Sequence, residues 1–115
     1  GFSTIRVGDA LIGQDVATLT TTSASQTNRI LASATTYRTL KVLVQIKSGT
    51  SYHATEILLT HNGTTVYMTE YATIFSNSSL ATFDADISGG NIRLLVDPNQ
   101  ATSTEFKFSV SGIET

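Results

Sequence analysis

A ten-residue stretch near the middle of the chain alternates between apolar and polar residues. In RTLKVLVQIK, residues 38–47, every second position is apolar, namely Leu40, Val42, Val44 and Ile46, and the positions between them are polar apart from Leu43. A period of two places successive side chains on opposite faces of a strand, so the stretch predicts a half-buried β-strand. The stretch EFKFSV, residues 105–110, alternates in the same way and predicts another strand.

Composition extends this prediction to the whole chain. The 115 residues include 20 threonines and 13 serines. Threonine is branched at Cβ, which disfavours helices and favours the pleated surface of a sheet. A hydrophobic content of 40% in a chain of this length is enough for one core without disulfides, and the sequence has no cysteine. We therefore expect one all-β domain.

Turn signals divide the chain into short strands. They are expected near residues 4–7, 16–22, 27–32, 38–47, 53–61, 64–73, 80–87, 91–97 and 104–111. Many short antiparallel strands with one apolar face each predict an antiparallel β-sandwich, of jelly-roll or immunoglobulin-like type, over residues 26–115. Residues 1–25 are less regular, and we expect them to form an N-terminal arm or the first strands.

The stretch ILLTHNGTTVYM, residues 57–68, predicts a β-hairpin. Taking Asn62 and Gly63 as a two-residue type I′ turn pairs Ile57 with Met68 and Leu59 with Val66, which makes one face apolar. On the other face Leu58 would lie opposite Tyr67. His61 would lie at the exposed tip, where a turn-flanking role is favoured over a metal ligand or a binding contact. His53 would lie about 26 Å away along the strand, too far to share a metal with His61.

A second hairpin is predicted around Gly89 and Gly90. This turn pairs Phe83 with Val96, Ala85 with Leu94 and Ile87 with Ile92, and again makes one face apolar. On the opposite face Asp86 and Arg93 would form a cross-strand ion pair. Asp84 and Asp86 also resemble a short metal-binding pattern, but the arginine opposite supplies a sufficient structural partner.

Known catalytic patterns are absent from the sequence. There is no cysteine nucleophile, phosphate-binding loop, HExxH pattern or GxSxG pattern. We therefore expect a protein that is not an enzyme and that uses no cofactor or metal. Seven Lys and Arg residues spread along a chain of net charge −2 argue against nucleic acid as a partner. No apolar run approaches the roughly 20 residues of a membrane helix.

The polar face of the first hairpin is a candidate interaction surface. Leu58, Tyr67 and Tyr71 would share this face with several threonines. A tyrosine offers apolar area together with a hydroxyl group, which suits either a protein interface or a sugar-binding surface. The alternative is that a second sheet packs over these side chains.

Two stretches resemble a module of tailed-phage virion proteins, especially those of cyanophages and other marine phages. They are TTYRTLKVLVQIKSGTSYHATEILLTHNGTTVYMTEYATI, residues 35–74, and ATFDADISGGNIRLLV, residues 81–96. The resemblance covers about half of the chain, includes both turns and is less clear over residues 1–30. It carries over no functional residue, because the shared positions are turn and core positions.

The resemblance implies a structural protein of the virion, with other virion proteins as partners. Our first expectation is a capsid decoration or cement protein that contacts the shell as a homo-oligomer such as a trimer. The alternative is a tail or fibre adhesion module that binds a host-surface glycan through Tyr67, Tyr71 and the threonines around them.

Overall fold

Residues 4–115 are described by a computed structural model, in which they form nine β-strands. The strands are β1 (Thr4–Val7), β2 (Ala10–Thr21), β3 (Thr27–Ser33), β4 (Tyr37–Ser48), β5 (Ser51–His61), β6 (Val66–Phe75), β7 (Ala81–Ser88), β8 (Asn91–Pro98) and β9 (Thr104–Glu114). Within this described range, no helix is long and apolar enough to cross a membrane.

The strands form two antiparallel sheets. The larger has six strands in the order β1-β2-β9-β4-β5-β6, and the smaller has three in the order β3-β8-β7. The prediction of an all-β antiparallel sandwich is confirmed. Of the segment expected to be an arm or the first strands, residues 4–21 form β1 and β2 and their connecting turn, and β2 pairs with β9. Residues 1–3 lie outside the described residues.

The core lies between the two sheets and consists of the alternate positions predicted from the sequence. Leu40, Val42, Val44 and Ile46 of β4 are completely buried. On the smaller sheet, β8 contributes the fully buried side chains Ile92, Leu94 and Val96. Each such side chain stabilises the fold by about 1.5–3 kcal/mol relative to an exposed one, so this layer holds the sheets together.

The second hairpin has the predicted register, with Phe83 opposite Val96 and Ile87 opposite Ile92. The predicted register of the first hairpin is wrong by two residues. Thr60 pairs with Tyr67, and Leu58 pairs with Thr69 instead of Tyr67. The loop therefore holds four residues, 62–65, rather than the two expected.

The Asn62 side chain accounts for this longer loop. Its Oδ1 accepts hydrogen bonds from the backbone N–H groups of Thr64, at 3.0 Å, and Thr65, at 2.8 Å. The backbone N–H of Asn62 donates to the carbonyl of Thr65, at 3.2 Å. An asparagine that bonds its own following backbone competes with the tight turn that the Asn-Gly pair favours. A slip of two residues keeps every side chain on its predicted face.

A β-bulge interrupts β6. Glu56 pairs with Tyr71, but Ala54 pairs with Ile74, so β6 carries one more residue than β5 between these pairs. Within the bulge Ala72 has a φ of 53°. Beyond the bulge the alternation of faces is inverted, because one extra residue turns the following side chains over.

Candidate functional site

The face of the six-stranded sheet that points away from the core, which we call the outer face, carries the three residues predicted as an interaction surface. Leu58 is 43% exposed, Tyr67 is 55% exposed and Tyr71 is 37% exposed. Their neighbours in sequence point the other way, and Ile57 and Leu59 are buried in the core. No sheet formed by residues 4–115 covers the three side chains, so they are available to a partner.

The register extends this surface across the sheet. Tyr67 lies opposite Thr60, Thr60 opposite Thr39, and Thr39 opposite Ile113, so the four residues form one row over four strands. A shallow depression of about 450 Å³ lies along the row. Its lining residues are Thr39, Leu58, Leu59, Thr60, Tyr67, Met68 and Thr69. Hydroxyl groups thus surround an apolar floor.

The loop at residues 62–65 holds one end of this depression. The Asn62 amide donates a hydrogen bond to the Tyr67 hydroxyl, at 3.3 Å. Thr39 and Thr60 are joined through their hydroxyl groups, at 3.2 Å. These contacts restrict the Tyr67 ring and the threonines beside it, which lowers the entropy that a ligand would have to remove on binding.

The charges near this depression are an ion pair and Arg38, whose Nη1 donates a hydrogen bond to the His61 carbonyl at 3.0 Å. Lys41 Nζ lies 3.7 Å from Glu56 Oε1. Lys41 is the strand partner of Leu58, and Glu56 is the strand partner of Tyr71. An exposed ion pair of this kind contributes at most about 1 kcal/mol to stability. The pair itself adds no net charge to the surface around Tyr67, whereas Arg38 adds one positive charge beside Thr60.

His61 does not lie at an exposed tip, and that prediction is wrong. It is 4% exposed, because β5 continues through it and the strand alternation turns its ring inward. Its Nε2 lies 2.6 Å from the Tyr37 carbonyl, and its Nδ1 accepts a hydrogen bond from the Gly63 N–H at 3.0 Å. Nδ1 therefore holds the loop at residues 62–65, and Nε2 connects the end of β5 to the start of β4.

His53 plays a similar part at the other end of β5. It is 2% exposed, and its Nδ1 accepts a hydrogen bond from the Leu80 N–H at 3.1 Å. The Phe75 ring meets it edge-on, with the ring centroids 5.5 Å apart. Burial lowers the pKa of His53, while the Glu70 carboxylate raises it to a smaller extent. Residues 4–115 contain no cluster of three or more metal-binding side chains.

The predicted acidic residues are separate from the outer face. Arg93 donates two hydrogen bonds to Asp86, from Nε at 2.8 Å and from Nη2 at 2.6 Å. These bonds lower the pKa of Asp86 and raise the pKa of Arg93. Asp84 accepts a hydrogen bond from the Ala85 N–H at 2.8 Å. The pairing of Asp86 with Arg93 leaves that carboxylate as a structural group.

All three turn glycines have positive φ values. Gly63 has a φ of 102°, and Gly89 and Gly90 have φ values of 58° and 78°. Side chains with a Cβ rarely adopt such angles, so glycine is required for these turns.

A second depression on the outer face was not predicted from the sequence. It has a volume of about 370 Å³ and is lined by Gln45, Ile46, Tyr52, His53, Ala54, Ile74, Phe75 and Ser76. The only signal in the sequence is the small Ala54 within an otherwise bulky strand. The depression forms because of the bulge in β6, and no local sequence pattern indicates that bulge.

Comparisons with known proteins identify the fold. No protein-family model and no curated protein matches the chain. Among solved structures, the tailspike protein of Acinetobacter phage vB_ApiP_P1 matches with a TM-score of 0.57 and 15% sequence identity. Tailspike protein gp49 of Acinetobacter baumannii bacteriophage Fri1, described as a capsular polysaccharide depolymerase, matches with a TM-score of 0.56 and 14% identity.

These matches involve nearly all of this chain but a small part of the tailspikes. They cover 87% and 96% of the present chain, and 22% and 19% of the respective tailspike chains. At such low identity the likeness establishes a shared fold, a β-structure that recurs as one part of a larger phage protein.

Proposed function

We propose that the chain is a module of a phage tailspike or tail fibre that binds a host-surface polysaccharide through the Tyr67 end of the outer face. In this proposal it is a virion component that acts by adhesion. The observation that carries the proposal is the likeness to two phage tailspikes over at least 87% of the chain. The resemblance of residues 35–74 and 81–96 to tailed-phage virion proteins supports the same setting.

The chemistry of the outer face supports a saccharide as the ligand. Sugars present apolar C–H faces and many hydroxyl groups, and the depression beside Tyr67 offers an aromatic ring together with the hydroxyls of Thr39, Thr60 and Thr69. Lys41 and Glu56 on this face neutralise each other, and Asn62 donates a hydrogen bond to the Tyr67 hydroxyl. One of the two matching tailspikes is described as acting on a capsular polysaccharide.

The tail is favoured over the capsid shell. Both matching structures are tailspikes, whereas our first expectation was a capsid decoration or cement protein. Nothing in the comparisons supports a decorating role, so the alternative drawn from the sequence becomes the preferred function. A copy number of this chain measured by mass spectrometry of intact particles tests the choice. A few to a few dozen copies agree with the tail, and hundreds would contradict it.

We propose binding without cleavage. The depolymerase description belongs to a protein of which this chain matches 19%, so that activity is not transferred. The Asp86 carboxylate is occupied by Arg93. Glu56 faces Lys41 on the outer face, and Glu70 accepts a hydrogen bond from Thr55, at 2.8 Å. Release of reducing ends from a bound polysaccharide would overturn this part of the proposal.

Binding is tested with a multivalent form of the chain on an array of bacterial surface polysaccharides. Multivalency is needed because one shallow site binds a sugar weakly. We expect signal from the wild-type protein and a loss of about tenfold or more for the double variant Tyr67→Ala, Tyr71→Ala, because aromatic contact area is removed.

Ile30→Ala is the matched control. Ile30 lies on β3 of the smaller sheet and is 54% exposed, close to the value for Tyr67, so it tests the loss of an exposed apolar side chain elsewhere. A blank array, or equal binding by the double variant and the control, would contradict the proposed function.

A further inference from the structure

The second depression on the outer face is built by a small residue between larger ones. Ala54 on β5 lies opposite Gln45 on one side and Ile74 on the other. The alanine methyl group leaves a hollow, and the two longer side chains form its walls. Tyr52, which is 53% exposed, stands on the same strand face two residues from Ala54 and completes the rim.

The bulge in β6 is what places Ile74 on this face. Tyr67, Thr69 and Tyr71 alternate outward along β6, and an unbroken strand would continue this set with Thr73 and Phe75. The extra residue at the bulge turns Ile74 outward, where it is 70% exposed, and turns Phe75 towards His53. The bulge in β6 therefore supplies one wall of the hollow.

Backbone contacts fix the position of Tyr52 beside the hollow. Its N–H donates to the Ser76 hydroxyl at 2.9 Å, and its carbonyl accepts from the Ser76 N–H at 2.8 Å. The resulting site has an aromatic ring, an aliphatic wall and the Gln45 amide, which can both donate and accept hydrogen bonds. An apolar C–H face bordered by hydroxyl groups complements it, as on a sugar ring.

The new site is continuous with the surface around Tyr67. The row through Gln45, Ala54 and Ile74 is the next outward row after the one through Glu56 and Tyr71. Along β5, Tyr52 is eight residues from Thr60, the partner of Tyr67, which corresponds to about 26 Å at 3.3 Å per residue. A single sugar ring cannot reach both ends.

We infer that the hollow beside Tyr52 is a second saccharide subsite, and that the ligand is an extended oligosaccharide lying along β5 rather than one terminal sugar. This inference rests on the proposed function. It adds the direction of the ligand, its minimum length and a second contact residue, none of which the likeness to tailspikes supplies.

The test uses the polysaccharide with the strongest array signal and size-fractionated oligosaccharides prepared from it. Affinity is measured by calorimetry for the wild type and for Tyr52→Ala, Tyr52→Phe, Tyr67→Ala and Ile30→Ala. We expect wild-type affinity to rise with oligosaccharide length until both ends of the face are reached. For the longest fragments, Tyr52→Ala should bind about three- to tenfold more weakly, because one aromatic contact is lost.

The accompanying variants separate the explanations. Tyr52→Phe keeps the ring and should retain most of the affinity, Ile30→Ala should match the wild type, and circular dichroism verifies that each variant is folded. If Tyr67→Ala weakens binding while Tyr52→Ala binds every length as the wild type does, the second subsite is refuted and the proposed function stands. If no polysaccharide binds, both are refuted.

Discussion

At the scale of single residues, the two histidines act as fixed acceptors for backbone groups. His53 and His61 lie near the two ends of β5, and each accepts a backbone N–H at Nδ1. For His53 that geometry requires the neutral ring with its proton on Nε2. A protonated ring would place a hydrogen on Nδ1, directly against the Leu80 N–H that already points there. His53 therefore links the acidity of the solution to the loop at residues 76–80.

For His53 the direction of the pH effect follows from its lowered pKa. Its value in the folded protein is below the ordinary 6.5, so the unfolded chain takes up the proton first as the pH falls. The stabilisation is complete well above pH 6.5 and is lost as the pH drops from there towards the folded-state pKa. We expect the free energy of unfolding, measured with urea between pH 8 and pH 5, to decrease in this window.

His53→Gln is the comparison for this measurement, because glutamine keeps an acceptor for the Leu80 N–H but does not titrate. The decrease should be smaller in this variant than in the wild type. Identical pH profiles for the two proteins would show that His53 does not contribute.

Two strand glycines make a second residue-scale test. A Cβ at Gly112 would meet the Thr39 carbonyl and lie 2.6 Å from Leu40 Cδ2, whereas a Cβ at Gly13 would have no atom within 4 Å. Gly112→Ala should therefore lower the free energy of unfolding by about 1–3 kcal/mol through overpacking. Gly13→Ala, the matched control, should be neutral or slightly stabilising. Equal effects in urea denaturation would contradict this account of the packing.

At the scale of elements, the sequence specified strands better than it specified connections. The alternation in β4 and β9 identifies the buried face correctly, because only one face of each strand consists of apolar side chains throughout. The Gly89-Gly90 turn gives the correct register because neither glycine has a side chain that could favour another loop. The Asn62-Gly63 turn misled the register, because the Asn62 side chain bonds two following N–H groups and stabilises a longer loop.

The candidate site was predictable only where the strand pattern is regular. That Leu58, Tyr67 and Tyr71 share one face follows from alternation alone, and of the two alternatives for this face the exposed one is observed. The hollow beside Tyr52 depends on the β6 bulge, where alanine occupies a conformation that usually calls for glycine. The pairing of β6 with β5 imposes this conformation, and no local sequence pattern indicates it. His61 was misplaced because the buried face was expected to end before it, whereas the strand alternation turns its ring into the core.

The bulge itself makes a stability prediction. Ala72 has a φ of 53°, a region that costs a residue with a Cβ about 1–2 kcal/mol. Ala72→Gly should relieve this strain and leave the free energy of unfolding unchanged or higher by up to about 1 kcal/mol, after the larger backbone entropy of glycine is subtracted.

Ala54→Gly, at the β5 position opposite Ile74, is the control and should be destabilising by about 0.5–1 kcal/mol, as is usual for glycine in a strand. If Ala72→Gly destabilises the protein as much as Ala54→Gly does, the bulge conformation is not strained.

At the scale of the whole molecule, the strand edges and the outer face differ in their readiness to associate. The edge strand β6 has a bulge, and the edge strand β1 has four residues and its own irregularity. Such features discourage pairing with strands of another copy. The outer face has no comparable protection, and Leu58, Tyr67, Ile74 and Ile113 are all exposed on it. On the larger sheet, contacts with other molecules should therefore be made through the face rather than through the edges.

This arrangement predicts a strong dependence of binding on the number of linked copies. One chain with a shallow face should bind polysaccharide weakly, while a fusion to a trimeric coiled coil should gain apparent affinity by about a hundredfold or more. Biolayer interferometry on immobilised polysaccharide compares the two forms at equal chain concentration. Equal affinities would contradict this prediction. Light scattering verifies that the unfused chain is monomeric, because a chain that already forms trimers would gain nothing from the fusion.

The position of β9 has a consequence for how the molecule is made. This strand is the last of the nine described, yet it lies between β2 and β4 inside the larger sheet. While the ribosome is still translating the chain, β1-β2 and β4-β5-β6 remain two separate pieces with unpaired edges. The domain can acquire its native form only after residues 104–114 have left the ribosomal tunnel, so it cannot fold strand by strand as it is translated. A nascent chain halted before that point should be recognised by proteases and chaperones as unfinished.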